Sequence, residues 1–123
     1  MSTSFFRTIM LTLNDYFSTI INFFEFLALL QKGDYNVVVI DWSPISKMPY
    51  IVAANSVRNV GKHVAYMLNY LMSHGMSPET TTLIGHSLGA HVVGIAGHNA
   101  EKKINFIYGM DFFTKVYFSA ACL

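Results

Sequence analysis

The chain has 123 residues, a net charge of +1, 53% apolar residues and only 12% charged residues. That length bounds it to one domain, and the near-zero charge offers nothing to nucleic acid or to a strongly charged partner. A single cysteine, Cys122, excludes an internal disulfide, and charge this far below the roughly 25% of an average soluble domain suits the interior of a larger fold.

The N-terminal thirty residues are rich in Phe, Ile and Leu. Arg7 is followed by a short apolar run, TIMLTL, before Asn14 and Asp15. A signal peptide needs a longer unbroken apolar core and a small-residue cleavage site, so no clear signal peptide is expected. From Tyr16 to Leu30 the chain is interrupted by Asn22 and Glu25 and falls short of the roughly 20 apolar residues of a membrane span. Phe17, Ile20, Ile21, Phe24, Leu27, Ala28 and Leu30 approximate a helical stripe, with Gly33 to stop it.

YNVVVI then reads as a strand. It is β-branched and continuously apolar, as a strand covered on both faces should be, and Asp41, Trp42, Ser43 and Pro44 end it. From about Tyr50 to His74, Val57, Val60, Val64, Met67, Leu68 and Leu71 recur at three and four, with Arg58, Lys62 and Asn69 off the stripe. Gly75 terminates this helix. TTTLIG is a second strand, Leu88 to His98 a second strong helix and INFIYGM a third strand. Strands alternating with helices imply parallel pairing through right-handed crossovers. The expected fold class is therefore α/β, with about three parallel strands and flanking helices. Its chemistry should lie at the carboxyl ends of the strands, which carry Asp41, Ser87 and Asp111.

Between the second strand and second helix lies Gly85-His86-Ser87-Leu88-Gly89. A strand that turns abruptly into a helix crowds its own backbone, and flanking glycines relieve that crowding. The residue between them, Ser87, is the candidate nucleophile. The N–H of Leu88, at the helix start, is a natural donor to an oxyanion. No Cys/His cluster has metal-ligand spacing. The elbow is the only glycine-rich stretch, and it lacks the signatures of a phosphate loop or a dinucleotide site. No metal and no cofactor are expected.

GHSLGAHVVGIAG resembles the nucleophile region of the pancreatic lipase-like family of secreted triacylglycerol lipases and phospholipases A1, notably its insect-type members. GDYNVVVIDWS resembles that family's strand ending in Val-Asp-Trp, YIVAANSVRNVGKHVA the helix that follows, and INFIYGMD the strand ending in Gly-Leu-Asp. The resemblance runs over about residues 26–111, within a single partial α/β-hydrolase domain spanning 1–123; residues 1–25 and 112–123 remain unassigned by it.

The resemblance implies a carboxylic ester hydrolase acting on acyl-glycerol or phospholipid esters through a serine acyl-enzyme. Ser87 corresponds to the nucleophile, Asp111 to the acid that orients a histidine, Leu88 to one oxyanion donor, and Gly85 and Gly89 to the elbow. Asp41 takes a structural role beside Trp42. The implied partners are a lipid ester and a transient lipid interface, without nucleic acid or a transmembrane span, and the implied location is extracellular. Two parts of the family pattern are missing: the upstream His-Gly-Phe or His-Gly-Trp loop, and a histidine after Asp111. None of the five histidines, His63, His74, His86, His91 and His98, follows the acid. The expectation is a truncated or fragmentary member, inactive alone. Losing one oxyanion donor costs about 10²–10³ in rate, and losing a triad histidine on the order of 10⁶. The alternative is a non-enzymatic lipid-binding or interaction protein on the same scaffold; retention of both Ser87 and Asp111 counts against it.

Overall fold

A computed structural model describes residues 8–13, 27–28, 31–33 and 35–110. Its strands are β1 (Thr8–Leu13), β2 (Asn36–Asp41), β3 (Thr81–His86) and β4 (Phe106–Met110). Its helices are α1 (Ser43–Ser46), α2 (Tyr50–Ser73) and α3 (Leu88–Asn99), with a 3₁₀ turn at Pro78–Thr80. Residues 27, 28, 31 and 32 are also helical; the rest of the stripe from Phe17 to Leu30 lies outside the described residues.

All pairing is parallel, in the order β2-β1-β3-β4. The α/β class is as the sequence implies, but the sheet has a strand that the apolar patterning did not assign. TIMLTL, weighed above only as a targeting segment, is β1 and occupies the interior of the sheet. Thr8 to Leu13 pair with Asn36 to Asp41 on one side, and Thr8 to Leu11 with Thr81 to Ile84 on the other. Six residues are enough for a strand.

One face of this sheet is built around α2 and α3. Val38 and Ile40 of β2, Leu83 of β3 and Ile107 of β4 meet Val57, Val60, Val64 and Leu68 of α2 and Val92, Val93 and Ala96 of α3. These positions alternate along their strands, as the two-residue period requires. The stripe read along α2 is the buried one, with Met67 and Leu71 half-buried at its margin. On the other face Val39, Phe106 and Tyr108 are exposed, and Phe106 and Tyr108 stack with their rings 6.1 Å apart.

The two helices approach closely where Gly61 of α2 faces Ile95 and Val92 of α3. A Cβ on Gly61 of α2 would lie 2.6 Å from Ile95 Cγ2 and 3.1 Å from the Val92 carbonyl oxygen. Glycine at this crossing thus allows the short distance between α2 and α3.

Candidate active site

Strand order points to a candidate site before any polar residue is considered. β1 leads to β2 on one side of it, whereas β3 leads to β4 in the opposite direction. The reversal falls between the adjacent strands β1 and β3, and the crevice outside the carboxyl ends of such strands is where open α/β sheets bind ligands. Ser87 is the first residue past the carboxyl end of β3.

Ser87 has φ 57° and ψ −123° and is the only non-glycine with positive φ among the described residues. A side-chain-bearing residue in this region is strained by about 1–3 kcal/mol, a cost that persists only where surrounding structure imposes it. Here β3 must stop at His86 and α3 must start at Leu88, leaving one residue for the whole reversal. Ser87 caps α3 through its backbone, its carbonyl accepting from the Ala90 N–H at 3.0 Å. Its side chain makes no capping hydrogen bond, so the hydroxyl is not consumed by the helix end.

The flanking glycines have distinct reasons to be there. A Cβ on Gly85 would collide with the backbone carbonyl of Gly89 and stand 2.8 Å from the Ala90 nitrogen. Both glycines are buried. In the sheet, Gly85 pairs with Gly109 of β4, a second small residue beside the elbow that was not singled out from the sequence. Leu88 is the first residue of α3, and its N–H has no intrahelical acceptor. No acidic side chain lies in that first turn, so the positive end of the helix dipole is uncompensated from within and favours an anion.

His86 pairs with Met110, the last residue of β4. Asp111 follows in the sequence and lies outside the described residues, as do Asn14 and Asp15 after β1. Among the histidines, His63, His74, His91 and His98 are exposed and His86 is half-buried. His74 is engaged at the end of α2, its Nδ1 2.9 Å from the Tyr70 carbonyl and 3.0 Å from Ser73 Oγ.

Asp41, at the carboxyl end of β2, turns the chain into α1: its Oδ1 accepts from the Ser43 N–H at 2.9 Å. Hydrogen bonds from the Ser43 side chain and backbone, aided by Lys47, hold its carboxyl below the ordinary value of 3.8 against a small opposing effect of burial. Trp42, next along, is buried in the core cluster, and its indole N–H has no hydrogen-bond partner among the described residues. An apolar cavity of about 410 Å³ lies beside it, between β2, α1 and α2, and Ser87 is not in its lining. Among the described residues no group of three or more His, Cys, Asp or Glu could hold a metal ion, and no helix is long and apolar enough to cross a membrane.

Comparison with known proteins gives the family. The Lipase family model matches residues 19–122. The chain is 42% identical over 85 residues to pancreatic triacylglycerol lipase of Myocastor coypus, covering 68% of the chain and 19% of that protein. It is 40% identical over 84 residues to pancreatic lipase-related protein 2 of Rattus norvegicus, covering 68% of the chain and 18% of the relative. With lipoprotein lipase of Neovison vison it shares 42% identity over 82 residues, 66% of the chain and 17% of the relative. The matched segment thus spans less than a fifth of each of these relatives. On the family match and these identities, the chain belongs to the lipase family, among its pancreatic lipase-like members.

Proposed function

We propose that this chain carries the nucleophile half of a lipase-type active site that hydrolyses acyl-glycerol or phospholipid esters. The observation that supports it most is the strained backbone of Ser87 at the carboxyl end of β3, where the sheet reverses direction. Strain of this kind at a serine, between two buried glycines and ahead of an uncompensated helix start, fits acyl transfer. The names of the relatives, triacylglycerol lipase and lipoprotein lipase, support a lipid ester as the substrate. An extracellular place of action belongs to the same proposal and rests on the family resemblance.

In this reading a histidine base takes the Ser87 proton and Ser87 Oγ attacks the ester carbonyl. The Leu88 N–H donates to the oxyanion, the alcohol leaves with the proton returned by the base, and water then releases the acid from the acyl-enzyme. Asp111 holds the base in the required tautomer. In the order of this fold the base follows the acid, and no histidine follows Asp111 in the sequence. The 123 residues alone are therefore proposed to stop short of efficient acylation.

A fluorophosphonate probe tests both parts. Mass analysis of the purified chain should show Ser87 labelled at background alone and measurably when imidazole is added as a diffusible base, with no labelling in Ser87→Ala. Robust labelling without imidazole would reveal a base within the chain and overturn the incompleteness. No labelling under either condition would remove Ser87 as nucleophile.

A further inference from the structure

Glycine inside a strand weakens it and often marks a place where another backbone comes close. β4 carries one at Gly109, buried and paired in register with Gly85 of β3. Register partners in a sheet face the same side, and burial along the two strands follows that rule. Leu83 and Ile107 are paired and buried, as are Gly85 and Gly109, whereas Phe106 and Tyr108 of β4 are exposed. Gly85 and Gly109 thus lie side by side on the face that α3 covers, roughly 5 Å apart.

What covers this pair follows from the rise of each element. Gly85 lies two residues past Leu83, about 7 Å along the strand. α3 starts at the elbow and doubles back over the sheet, and Gly89 lies one turn, about 6 Å, before Val93. Leu83, Ile107 and Val93 belong to one core cluster, and the Gly89 carbonyl is what a Cβ on Gly85 would strike. The first turn of α3 therefore lies over the two glycines as its second turn lies over Leu83 and Ile107.

The consequence is an inclined helix. At the second turn, leucine and isoleucine side chains stand between sheet and helix. At the first turn backbone meets backbone, because a Cβ on Gly85 would lie 2.8 Å from the Ala90 nitrogen. The end that descends is the one that follows Ser87 and begins with Leu88, whose N–H has no intrahelical acceptor. A side chain at Gly109 would stand on the same face, one strand over, and prop that end up.

We infer that Gly109 is a positioning residue for the Ser87 site: the bare face it gives β4 lets the start of α3 settle on the sheet, which sets where the Leu88 N–H points. The inference rests on the reading of Ser87 as an acyl-transfer nucleophile with that N–H as oxyanion donor. Its own content is the link from β4 to the helix start, which can be read without any reaction at Ser87.

Gly109→Ala in the 123-residue chain tests it through two readouts. The rate of Ser87 labelling by a fluorophosphonate with imidazole present should fall about ten-fold or more, a part of the roughly 10²–10³ that loss of an oxyanion donor costs. The amide resonances of Leu88 and Gly89 should move in nitrogen-correlated spectra, while those of Ile95 to His98 stay. Ile107→Val, on the same strand and face, is the control: it should lower the urea midpoint and leave the labelling rate and both amides unchanged. Should Gly109→Ala lose the parental circular dichroism, it is read in a Gly94→Ala background, where the added Cβ meets nothing within 4 Å. Unmoved Leu88 and Gly89 amides, or labelling at the parental rate, would overturn the inference. So would an equal loss of labelling in Ile107→Val, or failure of Gly109→Ala to fold in both backgrounds. A parent chain that resists labelling would sink the nucleophile reading alone and leave the amides to decide this one.

Discussion

Gly85 and Gly89 approach so closely across the elbow that a Cβ on the first would run into the carbonyl of the second. The obstacle is backbone at the start of α3, so no rotamer change can relieve it. This relation makes the G-x-S-x-G spacing a packing requirement as well as a signature, because the helix can fold back over β3 only while Gly85 has no side chain.

Gly85→Ala should therefore destabilise the chain by about 3 kcal/mol or more, at the upper end of overpacking costs. Gly94, in the same helix, supplies the contrast: a Cβ there meets nothing within 4 Å. Gly94→Ala should stabilise by up to about 1 kcal/mol through helix propensity and reduced freedom of the unfolded chain. Urea melts of the two variants against the parent measure both signs, and equal effects would show that the close approach at Gly85 is not what matters.

Ser87 should respond to glycine differently from alanine. Its φ of 57° is costly for any side chain, so Ser87→Ala removes the hydroxyl and leaves the strain. Ser87→Gly removes the strain as well, at the cost of added freedom in the unfolded state. A gain of about 1 kcal/mol for glycine over alanine is expected in thermal or urea melts. A stability order with alanine above glycine would show that the backbone at Ser87 is not strained in solution.

Much of this site was legible because its residue types are forced by local geometry. The two glycines around Ser87, the apolar run before them and the helical stripe after them each have one physical reading, and together they placed the elbow. The strand TIMLTL escaped because Ile9, Met10 and Leu11 between Thr8 and Thr12, with Leu13 beyond, show neither helical nor two-residue periodicity; only pairing with both β2 and β3 makes the run a strand. Gly109 escaped for a similar reason, since its significance is its register opposite Gly85. The run from Ile45 to Val52 is equally apolar on paper, and only its exposure in the fold separates it from core.

Gly61 and Ile95 should be energetically coupled. A methyl at Gly61 would come within 2.7 Å of Ile95 Cβ, an atom fixed to the α3 backbone. Gly61→Ala alone should cost about 1–3 kcal/mol, despite the better helix propensity of alanine. Combining it with Ile95→Ala makes room, so the double variant should be more stable than the sum of the single effects by at least about 0.5 kcal/mol. A double-mutant cycle on unfolding free energies reads this directly, and strict additivity would mean that the helices separate rather than clash.

Asp41 should give the chain an acid-sensitive contribution to stability. Its carboxyl is held below the ordinary 3.8 chiefly by hydrogen bonds from Ser43, so the folded chain takes up this proton less readily than the unfolded chain. By linkage, the stabilisation is fully present above the unfolded value and is lost as pH falls through the lower folded value. Asp41→Asn keeps an oxygen able to accept from the Ser43 N–H but removes the charge. At neutral pH the variant should melt slightly below the parent, by a small amount because the group is exposed and screened. That gap should close on acidification through and below the ordinary carboxylate range. Thermal melts of both proteins across this range decide the matter: a gap independent of pH would assign the effect to hydrogen-bond geometry at Ser43 rather than to the carboxylate charge.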